Sequence, residues 1–198
     1  MSDTYHHGNL KHELIENAIS IIAENGASQL SLRSLSASCG VSHNAIYRHF
    51  DSKRKMIDCC REYVTQGLTD YLLSVIEGMD YTNPETIYKL SYSYTDYFRT
   101  HPTYFSFIYG SDSDCKIIFS LDKIEDNYPP FEIFRQVCIA LIAEYKLSRS
   151  EGLRRLVRYW SLMHGAVSLM ISPDVQLDGS WSECLKDAFL IGGKNKHE

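Results

Sequence analysis

The sequence lacks any run of about 18 apolar residues, so no part of it is expected to cross a membrane as a helix. Its first residues, MSDTYHHGNLKHE, hold no apolar stretch of the kind a secretory signal needs. Gly-rich phosphate loops, a Gly-x-Ser-x-Gly nucleophile turn and His-Glu-x-x-His are all missing, so no enzyme, metal or cofactor is expected. The six cysteines (Cys39, Cys59, Cys60, Cys115, Cys138, Cys184) have no metal-finger spacing. Cys59 and Cys60 are adjacent, a poor geometry for one tetrahedral ion. They read as reduced thiols of a cytoplasmic protein. Sustained alternation of apolar and polar residues is absent too, which argues against sheets.

What is present is helical periodicity. Leu10, Leu14, Ile15, Ala18, Ile19 and Ile22 form one apolar stripe, stopped by Asn25-Gly26. Ser31 can cap a short second helix with Leu32, Leu35 and Cys39 on one face. Gly40 permits a sharp turn, and Ser42 can cap a third helix in which Ile46 and Phe50 point inward. Asp51-Ser52 opens a fourth that can reach Gly78. Proline then marks further starts at Asn83-Pro84, His101-Pro102 and Pro129-Pro130. A short helical piece is expected near Ile117–Leu121. Ser148-Arg-Ser-Glu151 and Ser180-Trp-Ser-Glu183 fit the capping box, and Gly192-Gly193 would end the last helix. The long helix after the first box places Leu153, Leu156, Val157, Trp160, Met163, Val167 and Met170 on one side. The expected fold is all-α, with about nine helices.

The net charge of −5 is unevenly spread. Residues 1–61 carry seven Lys and Arg against six acids, or +1, and the remainder thirteen against nineteen, or −6. Five of the eight histidines (His6, His7, His12, His43, His49) also lie in that first segment. A mildly basic head on an acidic body suggests two jobs.

Helix, the three-residue turn Cys39-Gly40-Val41, then helix is the plan of a helix-turn-helix, whose second helix can enter the DNA major groove. With Ile46 and Phe50 buried, His43, Asn44, Tyr47 and Arg48 fall on the opposite side. Asn pairs with adenine edges, and His or Arg donates to guanine acceptors. Ala45 is small enough for a thymine methyl. Tyr47 and His49 offer donors to phosphate oxygens. Ser42 caps this helix beside them. Lys53, Arg54 and Lys55 occupy the first turn of the fourth helix, where exposed backbone donors and the dipole favour a phosphate.

YHHGNL at residues 5–10 and SLRSLSASCGVSHNAIYRHFDSKRKMI at 31–57 resemble the TetR family of bacterial transcriptional regulators. The resemblance covers about residues 5–60 closely and the rest only in architecture. It implies a helix-turn-helix domain over residues 1–53, linked through a helix at about 52–78 to a helical effector-binding and dimerisation domain over 54–198. It also implies a homodimer on a palindromic double-stranded operator, nucleoid-associated when bound. Phosphate-contacting roles would fall on Tyr47, His49 and Lys53, with Lys55 close by. Base-reading roles would fall on Arg33, His43, Asn44 and Ala45. Two departures stand out. Asn44-Ala45 replaces the usual Gly-Thr or Ala-Thr pair, and Lys-Arg-Lys follows Ser52 where an acid commonly follows the lysine.

For the body, the resemblance implies a small effector, and the density of tyrosine and phenylalanine between Tyr88 and Tyr109 suits an apolar or aromatic one. Tyr92, Tyr97, Phe105, Tyr109, Trp160 and His164 are the expected pocket residues. Trp160-Ser-Leu-Met-His164-Gly165 resembles a Trp…His-Gly signature of one TetR subgroup. His164 by itself reads as a packed, hydrogen-bonded histidine. Helices at about 149–171 and 181–191 are the expected dimer bundle, through Trp160, Val167, Met170, Trp181, Leu185 and Phe189. The function expected is a repressor released by its effector. An activator of the same fold, or an all-α module that binds protein, are the alternatives.

Overall fold

A computed structural model describes residues 6–111 and 113–190, with side chains from Leu10 to Phe189. Among the described residues there are nine α-helices, one 3-10 turn and no strand. In order they are α1 (His6–Asn25), the 3-10 turn (Ala27–Gln29), α2 (Leu32–Ser38), α3 (His43–Tyr47), α4 (Lys53–Ile76), α5 (Pro84–Thr100), α6 (Pro102–Tyr109), α7 (Pro129–Glu144), α8 (Arg149–Met170) and α9 (Trp181–Leu190). The all-α expectation holds. The side chains of His6 and His7 and the stop at Gly192-Gly193 lie outside the described residues.

The chain divides into two compact units. One, the head, holds residues 1–67 and 101–115; the other, the body, holds 68–100 and 116–198. α4 therefore contributes to both. In the head, α1 buries Leu14, Ile15, Ala18, Ile19 and Ile22, which is the stripe its spacing predicts. Also buried in the head are Leu32 and Leu35 of α2, Ile46 of α3, and Met56, Cys60 and Val64 of α4, with Cys60 Sγ donating to the Ile15 carbonyl. α6 also packs on α1, burying Tyr104, Phe105, Phe107 and Ile108. Tyr104 Oη donates to Glu16 Oε1, tying the two helices.

In the body, α7 and α8 approach closely because position 152 is glycine. A Cβ there would meet Ile142 Cδ1 at 2.8 Å. The capping box predicted at Ser148 is formed, with Glu151 accepting from the Ser148 backbone N–H at 3.0 Å. At the other predicted box, Ser180 Oγ lies 2.8 Å from Ser182 Oγ. Two expectations are corrected. Residues 113–120 form no helix. Asn127 accepts from the Ile118 N–H at 3.0 Å and donates to its carbonyl at 3.1 Å, so a side chain takes the backbone groups a helix would use. On α8, Leu156, Tyr159, Trp160, Met163, Ala166 and Val167 face inward, whereas Leu153 and Val157 are 38% and 40% exposed. The apolar residues of α8 thus occupy two faces.

Candidate nucleic-acid interface

The head builds its outward helix by local means. Ser31 Oγ accepts from the Ser34 N–H at 3.4 Å and starts α2. After seven residues the chain turns at Gly40, whose φ of +66° is a conformation that glycine enters without a Cβ penalty. Val41 N–H then donates to the Ser36 carbonyl at 2.9 Å, closing the turn. Ser42 Oγ accepts from the Ala45 N–H at 3.3 Å and starts α3. Ile46 at 0% and Phe50 at 1% exposure anchor that helix from below.

With those two buried, His43, Asn44, Tyr47 and Arg48 are all exposed, together with Ser42, while Ala45 is half-buried. The His43 and Tyr47 rings meet edge to face with centroids 4.9 Å apart, which restricts both before any partner arrives. Arg33 is exposed on α2. His49 is half-buried, its ring centroid 6.2 Å from that of Phe50. At the start of α4, Ser52 Oγ accepts from the Lys55 N–H at 3.2 Å. Lys55 and Arg54 are exposed. Lys53 Nζ donates to the Ser28 carbonyl at 3.1 Å, so its ammonium also braces α4 against the 3-10 turn. Arg54, expected with Lys53 and Lys55 to favour a phosphate, shares this turn and its exposure. The feature is a surface row of donors and cations around a short capped helix. It can hydrogen-bond base edges and phosphates.

Of the residues expected to form an effector pocket, Trp160 and His164 meet in the body, and Phe105 and Tyr109 meet in the head. Tyr94, Phe98, Trp160 and His164 of the body make one packed group, with Tyr94 to Trp160 at 5.3 Å and Trp160 to His164 at 5.0 Å between ring centroids. His164 Nδ1 lies 3.3 Å from Tyr94 Oη. Burial lowers the His164 pKa to about 4. Tyr97 stacks on Tyr71 at 5.6 Å, and Tyr92 lies on the exposed face of α5 beside Tyr88. Phe105 and Tyr109 belong to the head, where their rings are 5.1 Å apart. Of the expected interface residues, Trp160, Val167, Leu185 and Phe189 are buried within the body, and Met170 and Trp181 are half-buried. Trp160 is spent against Phe131 and Phe134, and Phe189 against Tyr159.

A short capped helix behind a glycine turn, presenting donors outward, is a helix-turn-helix, the arrangement whose second helix fits the DNA major groove. Residues 14–59 match the family model described as bacterial regulatory proteins, tetR family. It is 29% identical over 91 residues to the nucleoid occlusion factor SlmA of Actinobacillus pleuropneumoniae serotype 5b (strain L20), covering 46% of this chain and 45% of that protein. The chain thus spans less than half the length of the curated relatives it matches. The fold is shared along nearly the whole chain with solved structures. A TetR-family transcriptional regulator from Bordetella parapertussis 12822 has a TM-score of 0.66 at 18% identity, covering 97% of this chain and 100% of that one. A protein of unknown function from Rhodococcus sp. RHA1 has a TM-score of 0.69 at 21% identity, covering 96% and 98%. Among the described residues, no helix is long and apolar enough to cross a membrane.

Proposed function

We propose that the protein is a dimeric, sequence-specific DNA-binding transcriptional regulator, acting as a repressor released by a small effector. The observation that carries this reading is the exposed row His43, Asn44, Tyr47 and Arg48 on a helix capped by Ser42 and set by the Gly40 turn. Asn44, His43, Arg48 and Ala45, with Arg33, read base edges; Tyr47, His49, Lys53 and Lys55 hold phosphates. The head is the reading unit, and the body supplies dimerisation and the effector site. The site of action is DNA within the bacterial cell.

The dimer face we assign differs from the one the sequence suggests, because most of those residues are occupied inside the subunit. Leu153, Val157, Ser161, Gly165 and Leu169 follow one i, i+4 ridge of α8, and all are exposed. A Cβ at Gly165 would meet nothing within 4 Å, so the ridge has a dip that admits a second helix. Cys184 and Ala188 of α9, also four apart and exposed, extend the same small-residue character. Val157→Glu should convert the dimer to monomer in sedimentation. An unchanged mass would place the interface elsewhere.

Repression by such a dimer follows if the two recognition helices match successive major grooves about 34 Å apart. An effector releases DNA only if it binds more tightly to the form whose spacing does not match. The test is retention of labelled DNA from immediately upstream of the gene, against random DNA of equal length, at two salt concentrations. Salt-sensitive retention that survives the competitor is expected, since each neutralised phosphate releases counterions. Absence of retention at low salt would remove the DNA-binding reading.

A further inference from the structure

The body contains a cavity of about 190 Å³ that none of the expected pocket residues lines. It lies among the start of α5, the second half of α7, the first half of α8 and α9. Its apolar wall includes Ile87, Cys138, Leu141 and Phe189, all buried. Tyr159 and Arg155, one helical turn apart on α8, supply its polar side. Protein interiors leave few voids of this size, and an unfilled apolar void lowers stability in proportion to its volume. A cavity of ~150 Å³ accepts benzene. This one is therefore matched to a body of about six to eight carbons.

Arg155 decides what the other end of such a ligand must be. The body's other partly or fully buried arginine, Arg135, has Glu132 at 2.5 Å, and the exposed Arg99 and Arg149 have Asp96 at 2.7 Å and Asp122 at 2.5 Å. Arg155 is half-buried at the cavity, and among the described residues no carboxylate lies within 4 Å of it. Its guanidinium is one helical turn from Tyr159 at the same cavity, where burial raises the Tyr159 hydroxyl's pKa and the guanidinium's charge opposes that rise. Burial prevails and the Tyr159 pKa stands above its ordinary value, so the hydroxyl keeps its proton to donate. Arginine and tyrosine together then offer an anion a fork of N–H donors and an O–H.

We infer that this cavity is a binding site for a small amphipathic monocarboxylate, its apolar body against Ile87, Cys138, Leu141 and Phe189 and its carboxylate on Arg155 and Tyr159. The site itself rests on the cavity; only its regulatory consequence rests on the reading of the protein as a ligand-released repressor. Because the walls come from four helices, a bound molecule bridges α5, α7, α8 and α9 and holds the body in one form.

Thermal unfolding of the full chain tests the site, with hexanoate, octanoate and phenylacetate as probes and the matching primary amides as uncharged controls. The acids should raise Tm at millimolar concentration and bind at least about tenfold more tightly than their amides, the size expected of a charge-assisted contact. Arg155→Gln should fold with the parent's unliganded Tm and erase the difference between acid and amide. Cys138→Met, which fills the space, should weaken both. The inference is overturned if no acid shifts Tm, or if Arg155→Gln keeps the parent's preference for acids. Operator retention is measured in parallel. Acid binding that leaves DNA affinity unchanged would uphold the site and remove the ligand-released reading, so the two fail separately.

Discussion

The head and the body place their polar chemistry on opposite sides of their surfaces. In the head, Arg33, His43, Asn44, Tyr47, Arg48, Arg54 and Lys55 face solvent, and serines used as caps hold the backbone beneath them. In the body, Arg135 is 4% exposed and fully engaged, with Glu132 on one side and the Leu121 carbonyl at 3.0 Å on the other. Tyr94 is buried against His164. Groups that meet a large, wet, charged partner have to stand at the surface and stay hydrated until contact. Groups that define a unique interior have to be satisfied before any partner arrives. The same residue types therefore mean different things in the two regions.

The largest expected break in this contrast is at Arg135. Arg135→Ala leaves the Glu132 carboxylate and the Leu121 carbonyl without their donor, and should cost about 3–5 kcal/mol in denaturant unfolding. Arg48→Ala in the head should stay within about 0.5 kcal/mol. Equal losses at the two positions would refute the contrast. On DNA the ranking reverses. Arg135→Ala, assayed where it is still folded, should bind as the parent does. Asn44→Ala should lose about 1–3 kcal/mol at one base position per half-site. Tyr47→Ala should weaken all sequences alike, because a phosphate contact carries no base identity. Footprints of the two variants on operator and random DNA separate these outcomes.

The next effect sharpens the comparison from the side of the body. Burial holds the His164 pKa at about 4, below the usual value of 6.5. Between those values the unfolded chain takes up a proton that the folded one refuses. Stability is therefore lost as pH falls from about 6.5 to about 4, by roughly 2 kcal/mol once partial exposure is discounted. His164→Gln should remove that part of the slope when unfolding is followed against pH. A slope identical to the parent's would mean that the acid sensitivity comes from other groups.

What the sequence made legible divides along the same line. The helix-turn-helix was readable because its determinants are local: Ser31, Gly40, Ser42 and the pair Ile46 and Phe50 all lie within twenty residues. Cap, turn and period each act over one or two helical turns, so one window holds the whole argument. The contact of α6 with α1 was not readable, since it depends on Glu16 and Tyr104, 88 positions apart. The loop before α7 misled for a related reason: Asn127 captures Ile118 from nine residues away, against a locally helical pattern. On α8 the period was right and the face ambiguous, because Leu153 and Val157 serve an exposed ridge while Leu156 and Trp160 serve the core. The cavity beside Arg155 was invisible because its walls come from four helices. A lone arginine in an amphipathic helix carries no sign of what it faces.

A smaller effect than those on the body tests whether the head's exposed chemistry depends on its local scaffold. Ser42 Oγ holds the Ala45 N–H, and α3 has only five residues in which to be held. Ser42→Ala removes one cap and should cost about 1 kcal/mol, less than any change discussed for the body. Its consequence for DNA should be out of proportion to that cost. A helix this short has little other backbone support, so fraying its first turn displaces His43 and Asn44 while Tyr47 stays anchored beside Ile46 and Phe50. The expected result is selective loss at base positions, with nonspecific binding and its salt dependence kept. Asp at the same position, which can also cap, should restore α3 but set a negative charge beside the phosphates, weakening all DNA alike. If Ser42→Ala instead binds operator as the parent does, α3 is held by Ile46 and Phe50 from the core rather than by its own cap.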